Sequence, residues 1–273
     1  VITGHEAVAE AIASPLIAGV SLTGSTGAGK HIGEAAGRAI KPCVLELGGS
    51  DPFIVLEDAD IGKAAKAAAG GRFLNGGQSC IASKRFLVHA DVAEAFSRAF
   101  ADEVSKIVVG DPTDAATKMG PLVNKDAYED MLKFIKDAVA NGGKILTGGK
   151  NPFDKGYFIE PTVIADATGE MRIMSEEVFG PIAPIHVVKS EEEAIIIAND
   201  SEFGLGGSVF TQDLERGKRV ASQIQSGAVF VNNFTKSDPR MPFGGVKTSG
   251  IGRELSHYGL KEFVNIKGYS VYE

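Results

Sequence analysis

Apolar residues along the chain fall into two alternating patterns, short runs of strand length and longer stripes at helical spacing. From the N-terminal side, Val1 opens a short strand entering a helix over His5 to Ala13. Strand-like runs over Ala18–Leu22, Cys43–Leu47 and Arg85–His89 then alternate with helical stretches over Ile32–Ile40 and Ile61–Leu74. Val92, Ala95, Phe96, Ala99, Val104 and Ile107 keep near-helical spacing. A further helix is predicted over Asp126–Ala140, stopped by Asn141-Gly142-Gly143. Strands follow at Ile182–Val188, Gly207–Thr211 and Ala228–Asn232, separated by helices at Glu191–Asn199 and Leu214–Gln225. This rhythm is that of an α/β chain with a parallel sheet and crossover helices. The loosely alternating tail Phe263–Tyr272 reads as an outlying strand, which must pair within the subunit or with a neighbour. The chain is expected to begin in the middle of a sheet.

Composition narrows the classes. With 273 residues, 44% hydrophobic and 23% charged, the chain can bury a large core in one large or two unequal domains. A formal charge of -7, with basic residues scattered among acids, gives no footprint for nucleic acid. No run has the length of a membrane span, and the N-terminal stretch lacks the flank and core of a signal peptide. With only Cys43 and Cys80 as thiols, the expected location is the reducing cytoplasm. The scattered histidines and two distant cysteines offer no metal-ligand spacing.

One motif points in a misleading direction. Gly24-Ser25-Thr26-Gly27-Ala28-Gly29-Lys30 fits the opening of a P-loop, but His31 stands where a Mg²⁺-binding hydroxyl is needed. No Walker B strand ending in Asp accompanies it. A nucleoside triphosphatase is therefore the remote alternative. A glycine-rich turn before a helix, or a turn beside a dinucleotide diphosphate, fits the same residues.

The chemistry concentrates at two places. Cys80 lies in Asn75-Gly76-Gly77-Gln78-Ser79-Cys80, a glycine-rich turn with accessible backbone. Glu46 closes an apolar run in Leu45-Glu46-Leu47-Gly48-Gly49, a setting whose partial burial would raise its pKa. A thiol and a lone carboxylate of this kind are what covalent aldehyde oxidation requires, the first as nucleophile and the second as general base for the hydrolytic step. Cys43, among Val44 and Leu45, reads instead as a small core residue.

Five ordered motifs together resemble the aldehyde dehydrogenase superfamily over the whole chain. They are Thr23-Gly24-Ser25-Thr26 with Gly29, the Glu46 segment, the Cys80 segment, Glu176-Glu177-Val178-Phe179-Gly180-Pro181, and Pro242-Phe243-Gly244-Gly245-Val246-Lys247. Gly48 to Phe53, Gln78 to Ala82 and Gly252 to His257 further resemble the bacterial NAD(P)-dependent succinate-semialdehyde dehydrogenases. The resemblance implies an α/β aldehyde dehydrogenase-like fold: a part of a Rossmann-type cofactor domain over 1–48, an α/β catalytic thiol domain over 49–250, and a return segment with an oligomerisation strand over 251–273. It implies NAD or NADP as cofactor, a small aldehyde, with succinate semialdehyde preferred, as substrate, and a homo-oligomer formed through the C-terminal strand.

Residue roles follow from the same resemblance. Cys80 is the expected nucleophile and Glu46 the base. Gly24 and Ser25 would lie at the cofactor diphosphate, Leu47 would offer its backbone near the nicotinamide, and Glu177 would hold the nicotinamide ribose with Phe179 beside it. Ser237 matches a residue that helps bind the substrate carboxylate. Glu176 would cap a turn, the Pro242–Gly245 loop would line a substrate tunnel, and Arg253 with Glu254 would form an internal ion pair.

Two departures from the family pattern bear on activity. The family's large N-terminal region, with the oxyanion-hole asparagine and the lysine near the adenosine ribose, precedes the point matching Val1. Removing one oxyanion donor typically costs about 10²- to 10³-fold in rate. The chain alone is thus expected to turn over poorly, and the competing expectation is a folded, self-associating fragment without useful turnover. Leu74 also stands where some semialdehyde dehydrogenases carry an arginine for the substrate carboxylate.

Overall fold

The computed structural model describes residues 4–273. The strand expected at Val1 lies outside the described residues. Along the chain run α1 (His5–Ala13), β1 (Val20–Thr23), α2 (Thr26–Arg38), β2 (Cys43–Glu46), β3 (Asp51–Val55), α3 (Ile61–Phe73), a 3-10 turn (Leu74–Gly77), β4 (Ser83–His89), α4 (Ala90–Val104) and α5 (Lys125–Ala140). There follow β5 (Lys144–Thr147), β6 (Thr162–Ala165), α6 (Arg172–Ser175), β7 (Ile182–Val188), α7 (Glu191–Asn199), β8 (Phe203–Gly204), β9 (Gly206–Phe210), α8 (Leu214–Ala221), β10 (Ala228–Val231), β11 (Val246–Lys247), β12 (Gly250–Ile251) and α9 (Ser256–Lys261). The result is a mixed α/β fold built mainly on parallel sheet.

Two compact units divide the chain, one formed by residues up to Gly48 together with Ser237–Glu273, the other by Gly49–Lys236. The second division falls after Lys236, whereas the sequence reading put it after Gly250.

The first unit has a three-stranded sheet in the order β1-β2-β12, with β1 parallel and β12 antiparallel to β2. Ser25 starts α2 by accepting a hydrogen bond from Ala28 N–H at 3.2 Å, which satisfies one of the orphan donors of the first turn. The helix therefore begins six residues before the predicted Ile32. Residues 26–30 are already helical, so no loop remains to wrap a triphosphate as a P-loop would. Gly29 lets α2 approach the strand below it, because a Cβ there would collide with the Leu47 side chain. The tail after Lys261 forms no strand in the described structure.

The second unit carries a seven-stranded sheet in the order β10-β9-β3-β4-β7-β6-β5, parallel except for the antiparallel edge strand β5. Alternation along the central strands divides its core in two. Phe53, Val55, Phe86 and Val88 join Phe96 and Phe100 of α4 on one face, while Ile54 and Leu87 join Phe134 and Ala138 of α5 on the other. Phe53 lies 4.6 Å from Phe210 and 5.1 Å from Phe86 between ring centroids, and Phe86 lies 4.9 Å from Phe100. Each such side chain contributes about 1.5–3 kcal/mol by burial, and together they fix β3 and β4 as the rigid base from which the Cys80 turn projects. β3, β5, β6, β8, β11, β12, α6 and α9 were not anticipated. The Asp51-Pro52 start of β3, after Gly48-Gly49-Ser50, carries the marks of a turn, but the strand is buried throughout.

Candidate active site

The Cys80 turn is held by conformations that only a few residues tolerate. Asn75, Gly76 and Gly77 all have positive φ, at 55°, 64° and 72°, in the left-handed region where glycine carries no penalty and asparagine a small one. At Gly77 a side chain would also collide with the carbonyl of Gly180. Asn75 and Gln78 lace the loop reciprocally, Asn75 Nδ2 donating to Gln78 O at 3.0 Å and Gln78 Nε2 to Asn75 O at 3.1 Å. Gln78 Oε1 accepts in addition from Val123 N–H at 2.9 Å. The conspicuous glutamine is thus a brace. Cys80 follows, half-buried, in a turn closed by Ala82 N–H to Ser79 O at 3.2 Å. Gly49 admits the Cys80 carbonyl, which would meet a Cβ there at 2.5 Å.

Two buried cations anchor this region, and sequence reasoning missed both. Arg72, fully buried, donates through Nε to Ile182 O at 2.6 Å, through Nη2 to Val178 O at 3.0 Å, and also to Gly180 O. It ties the Glu177–Pro181 loop to the end of α3. Lys84, also fully buried, donates to Ser79 O at 2.9 Å and Cys80 O at 2.8 Å, and lies 3.3 Å from Glu177 Oε1. Glu177 Oε1 accepts as well from Gly49 N–H at 2.9 Å. Phe179 is exposed, with the Lys84 ammonium 6.0 Å from its ring centre. Glu176 points elsewhere, into a bidentate pair with Arg172 at 2.6 and 2.9 Å, which holds its carboxyl below the usual range. Neither cation stands out in the sequence, since Lys84 lies between Ser83 and Arg85 at the start of β4 and α3 carries Lys63 and Lys66 besides Arg72.

In the first unit Glu46 ends β2 with 3% of its surface exposed, and neither carboxyl oxygen has a hydrogen-bond partner. Burial first, then the negative charge of Glu254, push its carboxyl up to about 7, against the opposing charge of Arg253. The Pro242–Lys247 motif contributes directly here. Gly244 leaves room for the carboxylate, since a Cβ would stand 2.8 Å from Glu46 Oε1. Reciprocal backbone bonds between Phe243 and Glu254, at 2.8 and 2.6 Å, close the loop. Arg253 makes no ion pair with Glu254, correcting the expectation. Its Nη1 donates to the carbonyls of Gly245 at 3.0 Å and Gly252 at 2.7 Å, so it shapes the loop. Cys43, on the same strand as Glu46, is half-buried rather than a core residue, and burial pushes its thiol up.

Gly24 and Ser25 form the exposed turn from β1 into α2, with Gly24 N–H donating to Glu46 O at 3.0 Å. The first turn of α2 carries no acidic side chain, so its N-terminus is compatible with an anion. Leu47 is buried, its N–H donating to Ser249 O at 2.9 Å. A cleft of about 500 Å³ runs beside this turn between α1 and α2, walled by Val8, Ile12, Leu22, Ala28, Ile32 and Ala35. The sequence reading overlooked it, although small and aliphatic residues at helical spacing on both helices are its signature. Ser237 is exposed in irregular chain at the start of the return segment. The structure thus groups Gly24, Ser25, Glu46, Leu47 and Ser237 in the first unit and Cys80, Glu177 and Phe179 in the second.

Comparison with known proteins is consistent along the chain. It is 48% identical over 260 residues to a succinate-semialdehyde dehydrogenase [NADP(+)] of Deinococcus radiodurans, covering 95% of this chain and 54% of the relative. It is 45% identical over 263 residues to a succinate semialdehyde dehydrogenase [NAD(P)+] of Escherichia coli, covering 96% and 57%. The chain therefore spans about half the length of the curated relatives it matches. Among solved structures, Gox0499 superposes with a TM-score of 0.97 at 43% identity, covering 100% of this chain and 60% of that one. Betaine aldehyde dehydrogenase from Staphylococcus aureus, solved in complex with NAD+, does so with 0.89 at 39% identity, covering 96% and 53%. The aldehyde dehydrogenase family model matches residues 1–269, and the chain belongs to that family.

Proposed function

We propose that this chain carries the chemical groups of an NAD(P)-dependent oxidation of an aldehyde to its acid, with Cys80 as nucleophile and Glu46 as general base. The observation that carries this reading is Glu46: a carboxyl 3% exposed, without a hydrogen-bond partner and titrating at about 7. A carboxylate is kept in so costly a setting where a proton must be taken near neutral pH.

Cys80, as thiolate, adds to the carbonyl carbon, and the oxyanion formed accepts from backbone N–H. NAD(P)+, when bound, supplies the acceptor for the hydride that leaves that carbon. The product is a thioester on Cys80, which water hydrolyses while Glu46 takes the water's proton. The acid departs and the thiolate returns.

The residues present suit such a cofactor. An anion-compatible helix N-terminus at Ser25 follows Gly24, and the adjoining cleft has the size and apolar walls for a flat base. Leu47 and Glu177, with Phe179 beside it, are the residues we assign to the nicotinamide riboside. The preference for succinate semialdehyde rests on the relatives' own activity and on Ser237, whose exposed hydroxyl can reach a carboxylate.

The test is reduction of NAD+ and NADP+ by the protein bearing this chain, with succinate semialdehyde and with an uncharged aldehyde of equal length. Turnover abolished by Cys80→Ala, and faster with the semialdehyde, is expected. Undiminished turnover in Cys80→Ala would overturn the assignment.

A further inference from the structure

Lys84 lies on β4, four residues past Cys80, and its side chain is 0% exposed. An ammonium has three N–H groups, and here three acceptors surround it: the carbonyls of Ser79 and Cys80 and the Glu177 carboxylate. Asp51, itself buried and accepting from Gly206 N–H at 2.9 Å, adds a second negative charge. Glu177 Oε1 is meanwhile shared with Gly49 N–H. One buried cation thus connects both carbonyls of the nucleophile's turn to a carboxylate that, on the reading above, binds the cofactor ribose.

We propose that Lys84 is a positioning residue that transmits the state of Glu177 to the Cys80 turn, so that cofactor binding sets the nucleophile's geometry. The proposal rests on the assignment of Cys80 as nucleophile and Glu177 as ribose ligand. Hydroxyls arriving at Glu177 draw on the carboxylate that Lys84 also uses. In a dry site the bonds of such a network strengthen or weaken together, and the change passes to the Ser79 and Cys80 carbonyls. A mere strut would act on stability and leave the folded enzyme's response to cofactor intact.

The experiment measures the rate of Cys80 alkylation by iodoacetamide, with and without saturating NAD+ or NADP+, alongside KM and kcat. In the parent protein, cofactor is expected to change the alkylation rate about threefold or more, as loss or gain of a charged hydrogen bond allows. In Lys84→Met this ratio falls to one. The cofactor KM rises about tenfold, equivalent to about 1.4 kcal/mol, while kcat changes less. Lys84→Arg, which keeps the charge, restores part of the ratio. Because Lys84→Met strips the Ser79 and Cys80 carbonyls of their donor and so puts folding at risk, Glu177→Gln gives the independent arm. It leaves both carbonyl bonds of Lys84 in place, and its ratio is likewise expected to be one. A parent without cofactor-dependent alkylation, or a Glu177→Gln protein with the parent's ratio, would overturn the proposal. Turnover surviving Cys80→Ala would instead overturn the underlying reading, so the two failures are distinct.

Discussion

At the scale of single residues, the account turns on what burial does to Glu46. Its carboxyl is raised from its ordinary value of about 4.5 to about 7, so the native protein binds a proton there that the unfolded chain releases. Stability from this group is complete below about 4.5 and is lost as pH rises through about 7. Glu46→Gln is therefore expected to stabilise the protein above pH 7, by up to about 3 kcal/mol, and to be nearly neutral at pH 4. Denaturant titrations at the two pH values check this; equal effects at both would contradict the burial argument. The rate of acid release should rise through the same pH region and then level off. The sequence made this residue legible, because a lone acid between Leu45 and Leu47 has few bland explanations. It did not reveal Glu254 as the neighbouring charge or Gly244 as the space-maker, since both come from a return segment some 200 positions later whose approach depends on the β2–β12 pairing.

At the scale of elements, the nucleophile's turn depends on backbone conformation more than on side-chain chemistry. Gly77 combines φ of 72° with contact against the Gly180 carbonyl. Gly77→Ala should therefore cost at least about 2 kcal/mol through left-handed strain and backbone collision. The prediction includes a loss of activity larger than the loss of folded protein, measured by comparing turnover with the folded fraction from circular dichroism. Retained activity at parent stability would show that the turn is not so constrained. The long periodic α5 was legible because its apolar stripe of Met131, Phe134, Ile135 and Ala138 is buried. β5 was not, because it is an edge strand with mostly exposed side chains, so burial imposes no apolar pattern on it. α2 was misplaced at its start because Gly27 and Gly29 look like loop residues, while Ser25 capping and the close approach of Gly29 to Leu47 outweigh their low helix propensity.

At the scale of the whole molecule, no helix among the described residues is long and apolar enough to cross a membrane. A continuous run of apolar surface lies in the tail. Val264, Ile266, Tyr269, Val271 and Tyr272 are 58–91% exposed and follow Phe263, which packs on Gly19. Such a segment without ladder partners is a template for strand addition, and we propose a second copy as its partner. Removing residues 264–273 should leave thermal stability nearly unchanged and lower the association state seen by sedimentation. Unchanged association would contradict the proposal. This tail read as a strand in the sequence because of its alternation, but a strand needs a neighbour, and a single chain gives it none.

The claim on which the rest depends is that Cys80 is acylated and Glu46 releases the acyl group. A rapid-quench experiment on Glu46→Gln with aldehyde and NAD(P)+ tests it most directly. The account predicts a burst of reduced nicotinamide approaching one equivalent, followed by slow turnover, with the acyl mass on the Cys80 peptide. Steady turnover at the parent rate without a burst, or an acyl group on any other residue, would contradict it.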